Sequence, residues 1–139
     1  MKKRSLGFTI LELLIVMALL TIVMGTLYSA LAGKGEKAKA GAAGLQINSI
    51  GQALDLYKLE VGRYPSSSEG LQALFTAPSG ASNWNGPYLK DKGALKDPWD
   101  SDFRYVSPAQ NGGYELISLG ADRKEGGEGP DKDISNLSK

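Results

Sequence analysis

The 139-residue sequence has no cysteine and no histidine. The first absence excludes a disulfide-stapled domain. The two together remove the Cys nucleophile, the His general base and the usual nitrogen and sulfur ligands of zinc. Any catalysis would fall to carboxylates, lysine, tyrosine, or serine without an imidazole to activate it. Excess charge of one sign is lacking too. Sixteen Lys and Arg against fifteen Asp and Glu leave a formal charge of +1, which argues against a nucleic-acid binder. Without the first ~33 residues, about a hundred remain, enough for one small core.

The start of the chain is the most informative part of what is there. Met1 to Gly7 form a basic stub carrying Lys2, Lys3 and Arg4. From Phe8 to Ala32 run 25 residues, apolar throughout except for one charge, Glu12. As a helix rising ~1.5 Å per residue, this stretch reaches about 37 Å, enough to cross a bilayer with some tilt. Basic residues before it predict a cytoplasmic N-terminus. A secretory signal peptide is the rival reading, with Ser29-Ala30-Leu31-Ala32-Gly33 as its cut site. The stretch is long for such a signal, and Glu12 lies inside it.

Beyond the apolar run, Glu36 to Val61 reads as an amphipathic helix. Ala43, Ile47, Ile50, Leu54, Tyr57 and Val61 recur at steps of four and three and share one face. No proline separates this segment from the apolar run, so one continuous helix is expected. Gly25, Gly33, Gly35, Gly41 and Gly44 weaken it by ~1 kcal/mol each relative to Ala. Gly62-Arg63-Tyr64-Pro65 ends it. Ser66 and Glu69 have the spacing of a capping box opening a short helix with Leu71, Leu74 and Phe75. Residues 77–98 read as loops anchored by Trp84 and Tyr88. Phe103 to Val106 and Tyr114 to Leu119 read as an antiparallel hairpin across Asn111-Gly112-Gly113, with Trp99 filling the gap between sheet and helix. From Gly120 onward no helical or strand period is visible.

Glu12 is the expensive residue, because an intramembrane carboxylate costs roughly 2.5–3.5 kcal/mol at mid-bilayer and less near the end of a span. Snorkelling to the headgroups is one solution. Another arises if the chain is cut after Gly7. A new α-amine then appears on Phe8, about one helical turn from Glu12. The two charges pair within a chain or between neighbouring chains, and in the second case they set the axial register.

The tail gathers Asp122, Glu125, Glu128, Asp131 and Asp133 among glycines. Calcium takes six to eight hard oxygens, and a Gly-rich loop can turn carbonyls inward. The spacing is not that of an EF-hand. A solvated acidic loop and a calcium loop both remain open on spacing alone.

These residues also carry a resemblance. Gly7-Phe8-Thr9-Ile10-Leu11-Glu12-Leu13-Leu14 resembles the type III signal of type IV pilins and pseudopilins. Ala53 to Leu59, Gly62 to Pro65, Glu69-Gly70-Leu71, Asp97-Pro98-Trp99, Ser118 to Asp122 and Glu125 to Gly129 are similar to the G-type pseudopilins of bacterial type II secretion. The resemblance implies an α+β, pilin-like lollipop, with a long N-terminal helix packed on a small antiparallel sheet. It implies a leader over residues 1–7 cut by a prepilin peptidase, with methylation of the new amine on Phe8. It further implies a transmembrane and assembly helix over 8–32 and a periplasmic domain over 33–139. The domain would hold a helix to about 61, a hairpin over about 103–119 and a calcium loop over about 119–133.

The implied function is a non-enzymatic homopolymer, the pseudopilus, which grows from the inner membrane and drives folded proteins across the outer membrane. Minor pseudopilins and an inner-membrane assembly platform are the implied partners. The implied calcium ligands are the Leu119 carbonyl and the side chains of Asp122 and Asp133, with Asp131 as an addition. Two departures stand out. Many relatives have a proline in the span where this chain has Ser29, and many end in Ile-Gly-Asn-Trp where this chain reads Ile134-Ser135-Asn136-Leu137. The alternatives are a type IV pilin for adhesion or motility, and a membrane-tethered periplasmic binding domain lined by Trp84, Tyr88 and Trp99.

Overall fold

A computed structural model describes residues 8–138. The predicted leader and Gly7 lie outside the described residues. One helix, α1, runs from Ile10 to Val61. After it comes a three-stranded antiparallel sheet of β1 (Arg104–Val106), β2 (Glu115–Ser118) and β3 (Ile134–Ser135), in spatial order β1-β2-β3. The chain divides into two compact units, one ending at Gly35 and the other running from Glu36.

In the first unit the helix starts at a side-chain cap. Thr9 Oγ1 accepts from the backbone N–H of Glu12 at 3.2 Å, three residues on, which satisfies one of the free donors of the first turn. Glu12 itself places a negative charge in that turn, where the helix dipole favours it. The hydroxyls of Thr21 and Thr26 donate back to the carbonyls of Ala18 and Val23 at 2.7 and 2.9 Å. Hydroxyls bonded in this way are satisfied internally, as an apolar surround requires. Leu13, Leu14, Leu19, Leu20, Ile22 and Val23 are all exposed, and none of the most apolar stretch is buried. By length and composition this helix can cross a membrane.

The second unit has a core of its own. Ala43, Ile47, Ile50, Ala53, Leu54 and Tyr57 on α1 are buried, the face that the four-and-three spacing picks out. Leu71, Leu74, Leu95, Phe103 and Leu116 join most of them in one apolar cluster. Gly51 has a specific task here. A Cβ at this position would stand 2.7 Å from the Tyr114 hydroxyl, so a larger residue would push that ring off its place against the helix. Gly62, at φ 89°, ends α1 in the left-handed region that glycine adopts without penalty.

Ser66 and Glu69 bond reciprocally as a capping box: the Ser66 N–H donates to Glu69 Oε2 at 2.7 Å and the Glu69 N–H to Ser66 Oγ at 3.2 Å. The box opens a turn that leads into the expected short helix, a 3-10 segment over Leu71–Leu74 with Phe75 at its end. Gly70, at φ 61°, breaks the helical path between the box and the apolar residues. Trp84 and Tyr88 pack on the core as expected, with the Trp84 indole donating to the Ala73 carbonyl at 2.8 Å.

The hairpin forms with Arg104 opposite Ile117 and Val106 opposite Glu115. Phe103 belongs to the core rather than to the strand, and its N–H donates to the Leu95 carbonyl. The tail is not free of strand. Ile134 pairs with Ser118 and Ser135 with Ile117. Asn136 extends that edge: its N–H donates to the Leu116 carbonyl, its Oδ1 accepts from the Leu116 N–H at 2.7 Å, and its Nδ2 donates to the Tyr114 carbonyl. The side chain thus replaces further strand residues, and Leu137 beyond it is exposed. Two paired residues are too few for a period to show in sequence.

Candidate functional site

Two regions hold the residues singled out by sequence. At the first, Phe8 is exposed and Glu12 lies in the first turn of α1, also exposed. The helix cap at Thr9 lies between them and fixes the start of the helix. Sequence reading missed this cap, although Thr9-Ile10-Leu11-Glu12 has the capping-box spacing.

The second region is the acidic loop between β2 and β3. It folds back on itself through glycine. Gly120 and Gly127 have φ of 68° and 93°, and a Cβ on either would run into the backbone of Pro130 or Asp131 at 3.0 Å or less. The Ala121 N–H donates to the Pro130 carbonyl at 3.2 Å and closes the loop. Asp122 Oδ1 accepts from the Lys124 N–H at 3.0 Å, and Asp133 Oδ2 accepts from the Gly126 N–H at 3.0 Å. Asp133 Oδ1 is buried without a hydrogen-bond partner. A buried carboxylate oxygen with no donor is costly unless something else satisfies it. Leu119 stands at the end of β2, where the loop begins, and Asp131 closes the 3-10 segment Gly129–Asp131. Among the described residues no three acidic side chains are gathered as a metal site. An ion in this loop would have to draw the carboxylates closer together, with carbonyls such as that of Leu119 supplying further ligands. Glu125 is engaged elsewhere, in an ion pair with Arg104 on β1.

Sequence reading also missed the polar node next to this loop. Asp97 is buried, and its Oδ1 accepts from the N–H groups of Trp99 and Ser101 at 3.0 and 2.8 Å. Its Oδ2 accepts from Ser118 Oγ at 2.6 Å, which ties the turn to the end of β2. The Trp99 indole donates to Glu36 Oε2 at 2.7 Å, and this bond holds the Glu36 carboxyl below its ordinary pKa against an opposing effect of burial, with Lys39 adding to it.

A third cluster closes the far end of α1. Arg63 grips Glu69 with two hydrogen bonds of 2.6 and 2.7 Å. That grip, helped by the Ser66 N–H and hydroxyl, brings the Glu69 carboxyl down to about 2 and raises the Arg63 guanidinium further above its ordinary value. Tyr64 donates to Asp55 at 2.8 Å, and burial first and that bond second push its phenol up to about 12. An open cleft of about 450 Å³ lies beside these groups, lined by Lys58, Arg63, Tyr64, Ser66 and Ser107. Arg63 is paired with Glu69, and Lys58 lies over the Tyr64 ring.

With this geometry in view, the comparisons are concordant. The family model described as type II secretion system (T2SS), protein G matches residues 30–137, and the prokaryotic N-terminal methylation motif matches residues 2–28. A type II secretion system core protein G of Vibrio cholerae is 40% identical over 137 residues, covering 96% of this chain and 92% of the relative. The protein of the same name in Pseudomonas aeruginosa is 38% identical over 139 residues, covering 97% and 96%. The crystal structure of the major pseudopilin from the type 2 secretion system of enterohaemorrhagic Escherichia coli superposes with a TM-score of 0.63 at 28% identity, over 76% of this chain and 92% of that one.

Proposed function

The chain belongs to the type II secretion system protein G family, and from that premise we propose that it is the major subunit of a periplasmic pseudopilus, a structural polymer that serves the export of folded proteins. The observation that carries the reading is the pairing of a self-contained domain with an apolar helix that has no partner of its own among the described residues. Such a helix needs lipid before assembly and other copies of itself after it.

Processing after Gly7 by a prepilin peptidase, supported by the methylation motif over residues 2–28, would free the Phe8 amine beside Glu12. That amine and carboxylate would neutralise each other between adjacent subunits and fix their register. The chain would sit in the inner membrane with its N-terminus cytoplasmic and the unit from Glu36 periplasmic, and it would meet minor pseudopilins and an assembly platform there.

The acidic loop would hold calcium through the Leu119 carbonyl, Asp122 and Asp133, with Asp131 as a further ligand. The unpartnered Asp133 Oδ1 is the feature that supports an ion, which would supply charge neutralisation and loop order and no chemistry. Gly120, Gly126 and Gly127, all at positive φ, allow the loop backbone to fold over an ion.

The testing experiment is a clean deletion in the native host, scored for exoprotein release and for surface-pilus functions. Lost secretion with intact twitching and adhesion, restored by the wild-type chain, is expected. Intact secretion with lost pili would assign the chain to the type IV pilins instead.

A further inference from the structure

Trp99 stands where three segments meet. Its indole N–H reaches Glu36 on α1 at 2.7 Å. Its backbone carbonyl accepts from Arg123 Nη2, in the acidic loop, at 3.0 Å. Its own N–H is held by Asp97, which Ser118 pins to the end of β2. The residue is 9% exposed, and its bonds to Glu36 and Arg123 are part-buried, with their outer partners reaching solvent.

Both ends of this connection need support. Arg123 has φ 60°, a left-handed conformation that a non-glycine residue keeps only when its surroundings impose it. The bond to the Trp99 carbonyl is one such constraint. On the other side, the helix that runs on from Glu36 includes Gly41 and Gly44, both less favourable in a helix than Ala. Between Gly33 and Gly41 only Glu36 and Ala40 are even half-buried, and the fully buried face begins at Ala43. The charge-assisted bond from Trp99 is therefore the polar tie that holds this weak stretch of helix to the rest of its unit.

We propose that Trp99 is a coupling residue, through which the order of the acidic loop and the order of α1 at Glu36 support each other. Ordering the loop places Arg123 on the Trp99 carbonyl, and this fixes the 97–101 turn and aims the indole at Glu36. Conversely, an ordered helix at Glu36 holds the indole and presents the carbonyl to Arg123. Coupling of this kind is reciprocal by thermodynamic necessity. It places the control of a glycine-weakened helical segment in a loop far from it in sequence.

The test is hydrogen exchange by mass spectrometry on the full chain in detergent micelles, at one fixed calcium concentration. Amides around Leu54 and Leu116 serve as internal reference, so that general destabilisation cancels. Arg123→Ala is expected to speed exchange of residues 36–42 about fivefold or more relative to that reference, and Glu36→Ala to do the same for residues 121–131. Glu36→Gln still accepts from the indole, through a neutral oxygen, and falls between the wild type and Glu36→Ala. Trp99→Phe keeps an aromatic ring and the carbonyl but removes the indole donor. In that background Arg123→Ala leaves residues 36–42 no faster than Trp99→Phe alone. The proposal is overturned if each substitution affects only its own segment, if exchange rises uniformly along the chain, or if Arg123→Ala acts on the helix as strongly without the indole as with it.

Discussion

The two stretches of α1 obey different rules within one unbroken helix. From Ile10 to Gly35 the residues are predominantly apolar on every side and all exposed. From Glu36 to Val61 the buried apolar residues keep to a face, and Ile50, Leu54 and Tyr57 on that face are wholly buried. The second stretch is stabilised by its own domain. The first has nothing to pack against among the described residues, and Thr9, Thr21 and Thr26 form hydrogen bonds within the helix itself. A helix that is hydrophobic all round, with its polar groups closed off, is suited to lipid or to a bundle of copies. The contrast separates folding, which belongs to the second stretch, from assembly, which belongs to the first.

The largest expected effect tests assembly. Glu12→Ala should leave processing and the folded domain intact and abolish fibres, as seen by electron microscopy of sheared material. Normal fibres from this variant would remove the pairing role of Glu12. Next comes the core. Leu54→Ala empties a fully buried site and should cost ~2–5 kcal/mol in denaturant unfolding. Leu19→Ala, in the exposed apolar stretch, should leave the same transition within ~0.5 kcal/mol. A large effect of Leu19→Ala on domain unfolding would break the separation.

A smaller effect is expected in the acidic loop. If it binds an ion in the folded state only, calcium at 100 times its Kd raises stability by ~2.7 kcal/mol, and Asp122→Ala or Asp133→Ala should abolish that calcium dependence. Wild-type melting indifferent to calcium and chelator would remove calcium from this loop.

The smallest effect concerns Glu69. Its carboxyl falls from 4.5 to about 2, chiefly through the hydrogen bonds from Arg63. A lowered value in the folded state means that the stabilisation is complete above pH 4.5 and fades as pH falls towards 2. Arg63 is about half exposed, so solvent screening keeps the gain within the ~0–1 kcal/mol typical of surface pairs. Glu69→Gln should therefore be slightly less stable at neutral pH, with the gap to wild type closing between pH 4.5 and about 2. A gap that stays constant over that window would show that the pair contributes nothing through its charge.

The parts of this fold that were legible in sequence are those with a period. Ala43, Ile47, Ile50, Leu54 and Tyr57 announce a buried helix face because helical geometry forces their spacing. The hairpin was legible because Asn111-Gly112-Gly113 separates two β-rich runs. Glu12 stood out in sequence as a lone charge in an apolar run, and the structure places it in the first turn of α1. The features that were not legible depend on contacts across long separations. β3 has two residues and is completed by the Asn136 side chain. Asp97 reads as a turn residue, and only the fold brings Ser118 to its second oxygen. The Glu36–Trp99 bond joins residues 63 apart, and no local pattern encodes it. The acidic loop was legible as a cluster, but the burial of one Asp133 oxygen was not.

The most direct measurement is thermal unfolding of residues 36–139, made without the apolar stretch, beside the full chain in detergent. If folding belongs to the second stretch alone, the fragment unfolds cooperatively with a midpoint equal to that of the full chain. A fragment that is unfolded, or that melts far below the full chain, would contradict the division of α1 into a folding half and an assembly half.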